Sequence, residues 1–144
     1  MRGLRILGVA AIGSMIGATG SPAQAQNRPV VAAAALAKTP QRYLNTPIVM
    51  HDLYCYSDAG HYECRTKAPL RIVLDSVKPG AARTAMEKEC GALDGIEQSP
   101  TCRFTLELVP TESSRRSGDY TRRDKLVTGP MVFVTATAVS ARKD

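Results

Sequence analysis

The chain has no tryptophan, only two phenylalanines, and no apolar stretch approaching the roughly 20 residues of a membrane-crossing helix. A core without large aromatics must rest on Val, Ile, Leu, Ala and Met, which bury less area per side chain. There is no Cys-x-x-Cys pair, so the low-pKa thiol of a disulfide oxidoreductase is not provided for. Gly-x-Ser-x-Gly is also missing, and two histidines beside scattered serines assemble no hydrolase triad. Repeats and low-complexity tracts are absent apart from the alanine run Ala32 to Ala35. The expectation is a protein that is not an enzyme and needs no cofactor.

Residues 1–25 have the character of an export signal. Arg2 and Arg5 form a positive start, Ile6 to Ile16 is apolar apart from glycines and Ser14, and Ala23-Gln24-Ala25 is a small-x-small cleavage site ahead of Gln26. No cysteine follows that site, which argues against a lipoprotein. The expected location is periplasmic or secreted. An oxidising compartment would pair Cys55, Cys64, Cys90 and Cys102 as disulfides. The nineteen basic residues include Arg2 and Arg5, so seventeen remain beyond residue 25 against thirteen acidic ones, a net charge of +4. That excess permits attraction to anionic surfaces without requiring nucleic acid as the partner.

Residues 26–46 read as an N-terminal arm beginning with a polar leader. Val30 to Lys38 is either two helical turns stopped at Thr39-Pro40 or an irregular segment. Ile48 to Tyr56 is rich in β-branched and aromatic residues, as a first strand should be. Ser57-Asp58-Ala59-Gly60 is a turn, His61 to Lys67 a second strand, and Leu70 to Val77 a third. Ala82, Met86, Cys90 and Leu93 then share one face of a helix that Pro79 would start and Gly91 or Gly95 would end. Cys102 to Val109 alternates with Phe104, Leu106 and Leu108 inward, a fourth strand. Residues 110–129 are polar and are expected as a long exposed loop, at most a poorly formed hairpin; Met131 to Val139 is the last strand and 141–144 a basic tail. The order is β-β-β-α-β-β. It predicts a mainly β domain over 47–140, a five-stranded Greek-key barrel of the OB-fold type with one helix between strands three and four.

The segment Thr39-Pro40-x-x-Tyr43-Leu44-Asn45-x-x-Ile48-Val49-Met50 resembles the opening of small exported bacterial OB-fold proteins of undefined function. In them a Tyr-Leu-Gly-Lys-like turn leads into the first strand; here Asn45 stands where glycine is usual. The similarity runs on through the Cys55–Cys64 hairpin, the helix carrying Cys90, and Cys102. It implies a non-catalytic binding module and carries over no functional residues.

Four cysteines allow three pairings. With Ala59-Gly60 as the turn centre, Cys55 and Cys64 stand directly opposite, which favours Cys55–Cys64 with Cys90–Cys102. The competing reading is a Cys2His2 metal site from His51, Cys55, His61 and Cys64. His51 and Cys55 would lie about 13 Å apart in a regular strand, too far to share an ion, and oxidation competes for the thiols. The expectation is therefore no metal.

The candidate ligand-binding residues are Arg115, Arg116, Arg122 and Arg123 on the long loop, with Tyr54, Tyr56 and Tyr62 on the hairpin. In an OB barrel these two connections border the usual ligand face. Guanidinium forks beside aromatic faces suit phosphates, carboxylates, bases or sugars. The competing reading is that the arginines only keep a loop soluble beside Glu112, Asp119 and Asp124. The expected partner is an anionic or neutral envelope component or a protein; a single-stranded nucleic acid is the alternative.

Overall fold

The computed structural model describes residues 27–90, 100–123 and 125–144. The expected export signal lies outside them, as do Gly91, Leu93 and Gly95. Five strands, β1 (Ile48–Asp58), β2 (His61–Arg65), β3 (Leu70–Leu74), β4 (Arg103–Arg122) and β5 (Lys125–Lys143), close into a ring in the order β1-β2-β3-β5-β4. Neighbours are antiparallel except β3 and β5, which pair in parallel. Helix α1 (Ala33–Lys38) precedes the ring, and helix α2 (Ala81–Lys88) lies between β3 and β4. No helix among the described residues is long and apolar enough to cross a membrane.

The ring encloses the aliphatic core expected from the composition. Phe104, Leu106 and Leu108 of β4 point inward as their alternation predicts, against Ile72 of β3 and Val134 of β5, all buried. On β1 the inward set is Ile48 and Met50, then Leu53 and Cys55. The change of parity has a physical cause. Met50 pairs with Leu106 and Leu53 with Phe104, so His51 and Asp52 both oppose the single residue Thr105. This bulge adds one residue and keeps the apolar side chains inside on both sides of it. Asp52 takes φ +56° to make it.

Ala59 and Gly60 make the β1–β2 turn, with φ of +47° and +82°. Positive φ at both central residues twists a two-residue turn to match the strands. Asp58 and His61 close the hairpin, and Cys55 falls opposite Cys64, three pairs further out. In an antiparallel ladder that is a non-hydrogen-bonded position, where side chains come closest. The two cysteines form a disulfide with their Cα atoms 4.0 Å apart. Cys90 and Cys102 form the second, tying the end of α2 to the start of β4. The favoured pairing is the observed one.

The described residues 110–123 and 125–129 are not a long loop. They are the outer halves of β4 and β5, a continuous two-stranded ribbon with its tip after Arg122. The register shifts between Glu107 and Leu108 and again between Pro110 and Glu112. Pro110 is tolerated inside a strand because it sits at that second irregularity. Strand β5 also continues past Val139 to Lys143, so the expected basic tail is paired in the sheet.

The N-terminal arm is built in as well. Val31 donates its N–H to Val49 O at 2.8 Å, and Val49 donates to Pro29 O at 2.9 Å. The arm thereby runs alongside the first half of β1, which β2 is too short to reach. The alanine-rich segment does form helix α1, and its Leu36 and Ala37 are buried in the core. Asn45 has φ +59°, the left-handed region that glycine and asparagine tolerate.

Candidate ligand face and the placement of the arginines

Outward alternation on β1 puts Tyr54 and Tyr56 on the outer surface of the ring. The register then fixes their neighbours. Across the strands, Arg103 of β4 pairs with Tyr54, Tyr54 with Arg65 of β2, Arg65 with Arg71 of β3, and Arg71 with Phe133 of β5. Neighbouring strands lie about 4.8 Å apart, so this row of three arginines and two aromatics spans about 19 Å.

The arginines lie over the rings. Arg103 stands 5.6 Å from the Tyr54 centroid, Arg65 5.5 Å from Tyr56, and Arg71 5.7 Å from Phe133. Arg116, from the ribbon, approaches Phe133 to 3.9 Å. Guanidinium groups are attracted to the negative faces of aromatic rings, and their aliphatic stems cover apolar surface. Tyr54 is only 6% and Tyr56 only 4% exposed, and Tyr56 also packs with the core cluster. Burial and the nearby Glu63 carboxylate raise the Tyr56 pKa above its ordinary value, so the phenol stays neutral.

Arg71 anchors the ribbon to this face. Its Nη2 donates to Asp119 O at 3.0 Å, and its Nε lies 2.8 Å from Glu63 Oε1. That last contact is an ion pair whose alignment falls short of a hydrogen bond. The Nε atoms of Arg65 and Arg103 are likewise buried with no hydrogen-bond partner among the described residues. The face therefore holds four guanidinium groups against the carboxylates of Glu63 and Asp52, the latter 3.2 Å from Arg103. Gly118 lets the ribbon fit. A Cβ there would stand 2.7 Å from Met131 Sδ and 3.1 Å from Phe133 Cζ.

The seven candidate residues separate into four places. Tyr54, Tyr56 and Arg116 belong to the face just described. Arg115 points the other way, its Nη2 donating to Lys38 O at 3.3 Å at the carbonyl end of α1. Arg122 and Arg123 are exposed at the ribbon tip, six residues and about 20 Å along the strand from Arg116. Tyr62 shares the inner face of β2 with Cys64; its hydroxyl donates to Glu87 Oε1 on α2, and Arg83 stands 5.7 Å from its ring. The hydrogen bond to Glu87 and then burial raise the Tyr62 pKa against the opposing effect of Arg83, while the Tyr62 hydroxyl and Arg83 hold Glu87 below the usual carboxylate range.

Arg65, Arg71, Arg103 and Phe133 were not among the candidates. The turn centre that pairs Cys55 with Cys64 also pairs Tyr54 with Arg65, so one step of the row could have been read from that register. The steps onto β3 and β5 could not.

The histidines do not build a metal or nucleophile site with the cysteines. Cys55 and Cys64 are bonded to each other, which leaves no thiolate for His51 or His61. His51 Nδ1 lies 2.9 Å from Thr105 Oγ1, and Thr105 gives its hydroxyl proton to Asp144 Oδ1 at 2.6 Å. Thr105 has one proton to give, so His51 Nδ1–H is the donor to it. This is the reverse of a hydroxyl activated by a histidine base.

Comparison with protein-family models, curated proteins and solved structures finds no match for this chain.

Proposed function

We propose that this protein is an exported, non-catalytic binding module of the OB-barrel type, acting in the periplasm or outside the cell, that takes an anionic envelope component on the outer face of β1, β2, β3 and β5. The strand order with α2 between β3 and β4 supports the barrel reading. The two disulfides are compatible with an oxidising compartment. The observation that carries the ligand reading is the row of stacked arginines beneath the ribbon, because guanidinium forks held in place lose little freedom on meeting a carboxylate, sulfate or phosphate.

The same geometry disfavours single-stranded nucleic acid. Base binding of that kind needs open aromatic faces, and Tyr54 and Tyr56 are already covered. Titration with an acidic polysaccharide, polygalacturonate, tests the proposal against the triple variant Arg65→Gln, Arg71→Gln, Arg116→Gln. The expected result is at least a tenfold loss of affinity with the circular dichroism spectrum retained. Equal affinity of the folded triple variant and the unaltered protein would remove this face from consideration.

A further inference from the structure

We propose that a second site, adjoining the arginine face and sharing Arg103, Asp52 and Tyr54 with it, takes a small organic acid with an apolar body. It is the groove of about 520 Å³ between α1, the bulge of β1 and the β2–β3 connection. Ligand pockets commonly fall between about 300 and 1,000 Å³.

Three observations converge there. First, Ala33 and Ala34 of α1, Leu53 and Pro69 line the groove with apolar surface. Second, Arg103 and Lys67 line the same space and outnumber its one carboxylate, Asp52. Arg103 is already oriented, held at 3.2 Å by Asp52 and laid over Tyr54, so it need not be ordered by the ligand. Third, the bulge of β1, where Asp52 takes φ +56°, sets both of its residues, His51 and Asp52, along the groove. An apolar body against the alanines with its carboxylate toward Lys67 and Arg103 satisfies both halves of the groove. A neutral or cationic ligand of the same shape satisfies one.

The site stands whether or not the arginine face binds a polyanion, and residues outside that face test it. The experiment is a titration of the ¹⁵N-labelled protein with octanoate, followed by amide shifts, and repeated with octanol and octylamine. Octanoate should give saturable shifts at Ala33, Ala34 and Lys67, with octanol and octylamine at least tenfold weaker. Lys67→Gln should weaken octanoate by about three- to tenfold. Ala34→Trp, at an exposed helix position, should fill the groove and abolish the shifts while the rest of the spectrum is unchanged. Octanol binding as tightly as octanoate would overturn the acid assignment. Octanoate binding unaltered by Ala34→Trp would overturn the groove itself.

Discussion

Hairpin β1–β2 turns at Ala59 and Gly60, and hairpin β4–β5 turns after Arg122; the first residue past each outgoing strand has a similar positive φ, +47° at Ala59 and +50° at Arg123. From there they diverge. The first is short, buried along Leu53 to Tyr56, and bonded across by Cys55 and Cys64. The second runs far past the ring and carries mainly polar side chains. It is held where Arg71 reaches Asp119, Arg115 reaches the end of α1, and Gly118 admits Met131 and Phe133. One hairpin is fixed by a covalent bond and burial, the other by a few polar contacts and a notch. Substitutions should separate the two modes.

The largest effect is expected at the staple. Replacing Cys55 and Cys64 together by alanine should cost about 2–3 kcal/mol in urea unfolding, the scale for a bridge closing a loop of this size. A loss below about 1 kcal/mol would mean that burial alone holds this hairpin. Next comes Gly118→Ala, which must push Met131 or Phe133 aside and should cost about 1–2 kcal/mol. Its signature is a changed ring-current shift beside Phe133 with β1–β2 untouched; an unchanged spectrum would show that the ribbon does not need the notch. Smaller again, Arg115→Ala should lower stability by about 0.5 kcal/mol, since an exposed cation at a helix carbonyl end contributes little. Amide exchange in α1 should quicken, whereas exchange in β1 should not.

The smallest effect depends on pH. The Tyr62 hydroxyl and Arg83 lower the Glu87 pKa, so that contribution is present above the unfolded carboxylate pKa of about 4.3 and is lost as pH falls through the lower folded value. The same bond raises Tyr62, whose contribution is present below about 10 and is lost as pH rises beyond that. Glu87→Gln should therefore be slightly less stable than the unaltered protein at pH 7, with the two curves converging toward pH 3. A gap that stays constant down to pH 3 would assign the effect to packing instead.

Much of the ring was legible in the amino-acid pattern. Phe104, Leu106 and Leu108 alternate because one face of their strand is buried and the other is not, and the turn at Ala59-Gly60 fixed which cysteines could meet. The ribbon was illegible for the complementary reason. Among the described residues from 111 to 123 and 125 to 129 neither face joins the core, so no apolar alternation marks a strand, and charge reads as loop. The candidate site was half legible. Tyr54, Tyr56 and Arg116 are on the face, but Arg115 and Arg116 are adjacent in sequence and point to opposite sides of a strand, which a loop reading cannot distinguish. The arginines over the tyrosine rings come from other strands, and only the tertiary register brings them there.

The parallel pairing of β3 with β5 sets an order of events as the chain is made. Leu70 must wait for Val132, so the ring cannot close until the chain has been made past Ala136. Contacts so distant along the chain slow folding, whereas the hairpin of Cys55 and Cys64 is local and can form early. A polypeptide that delays closure in this way spends longer unfolded, the form in which a chain can still be threaded through a narrow passage.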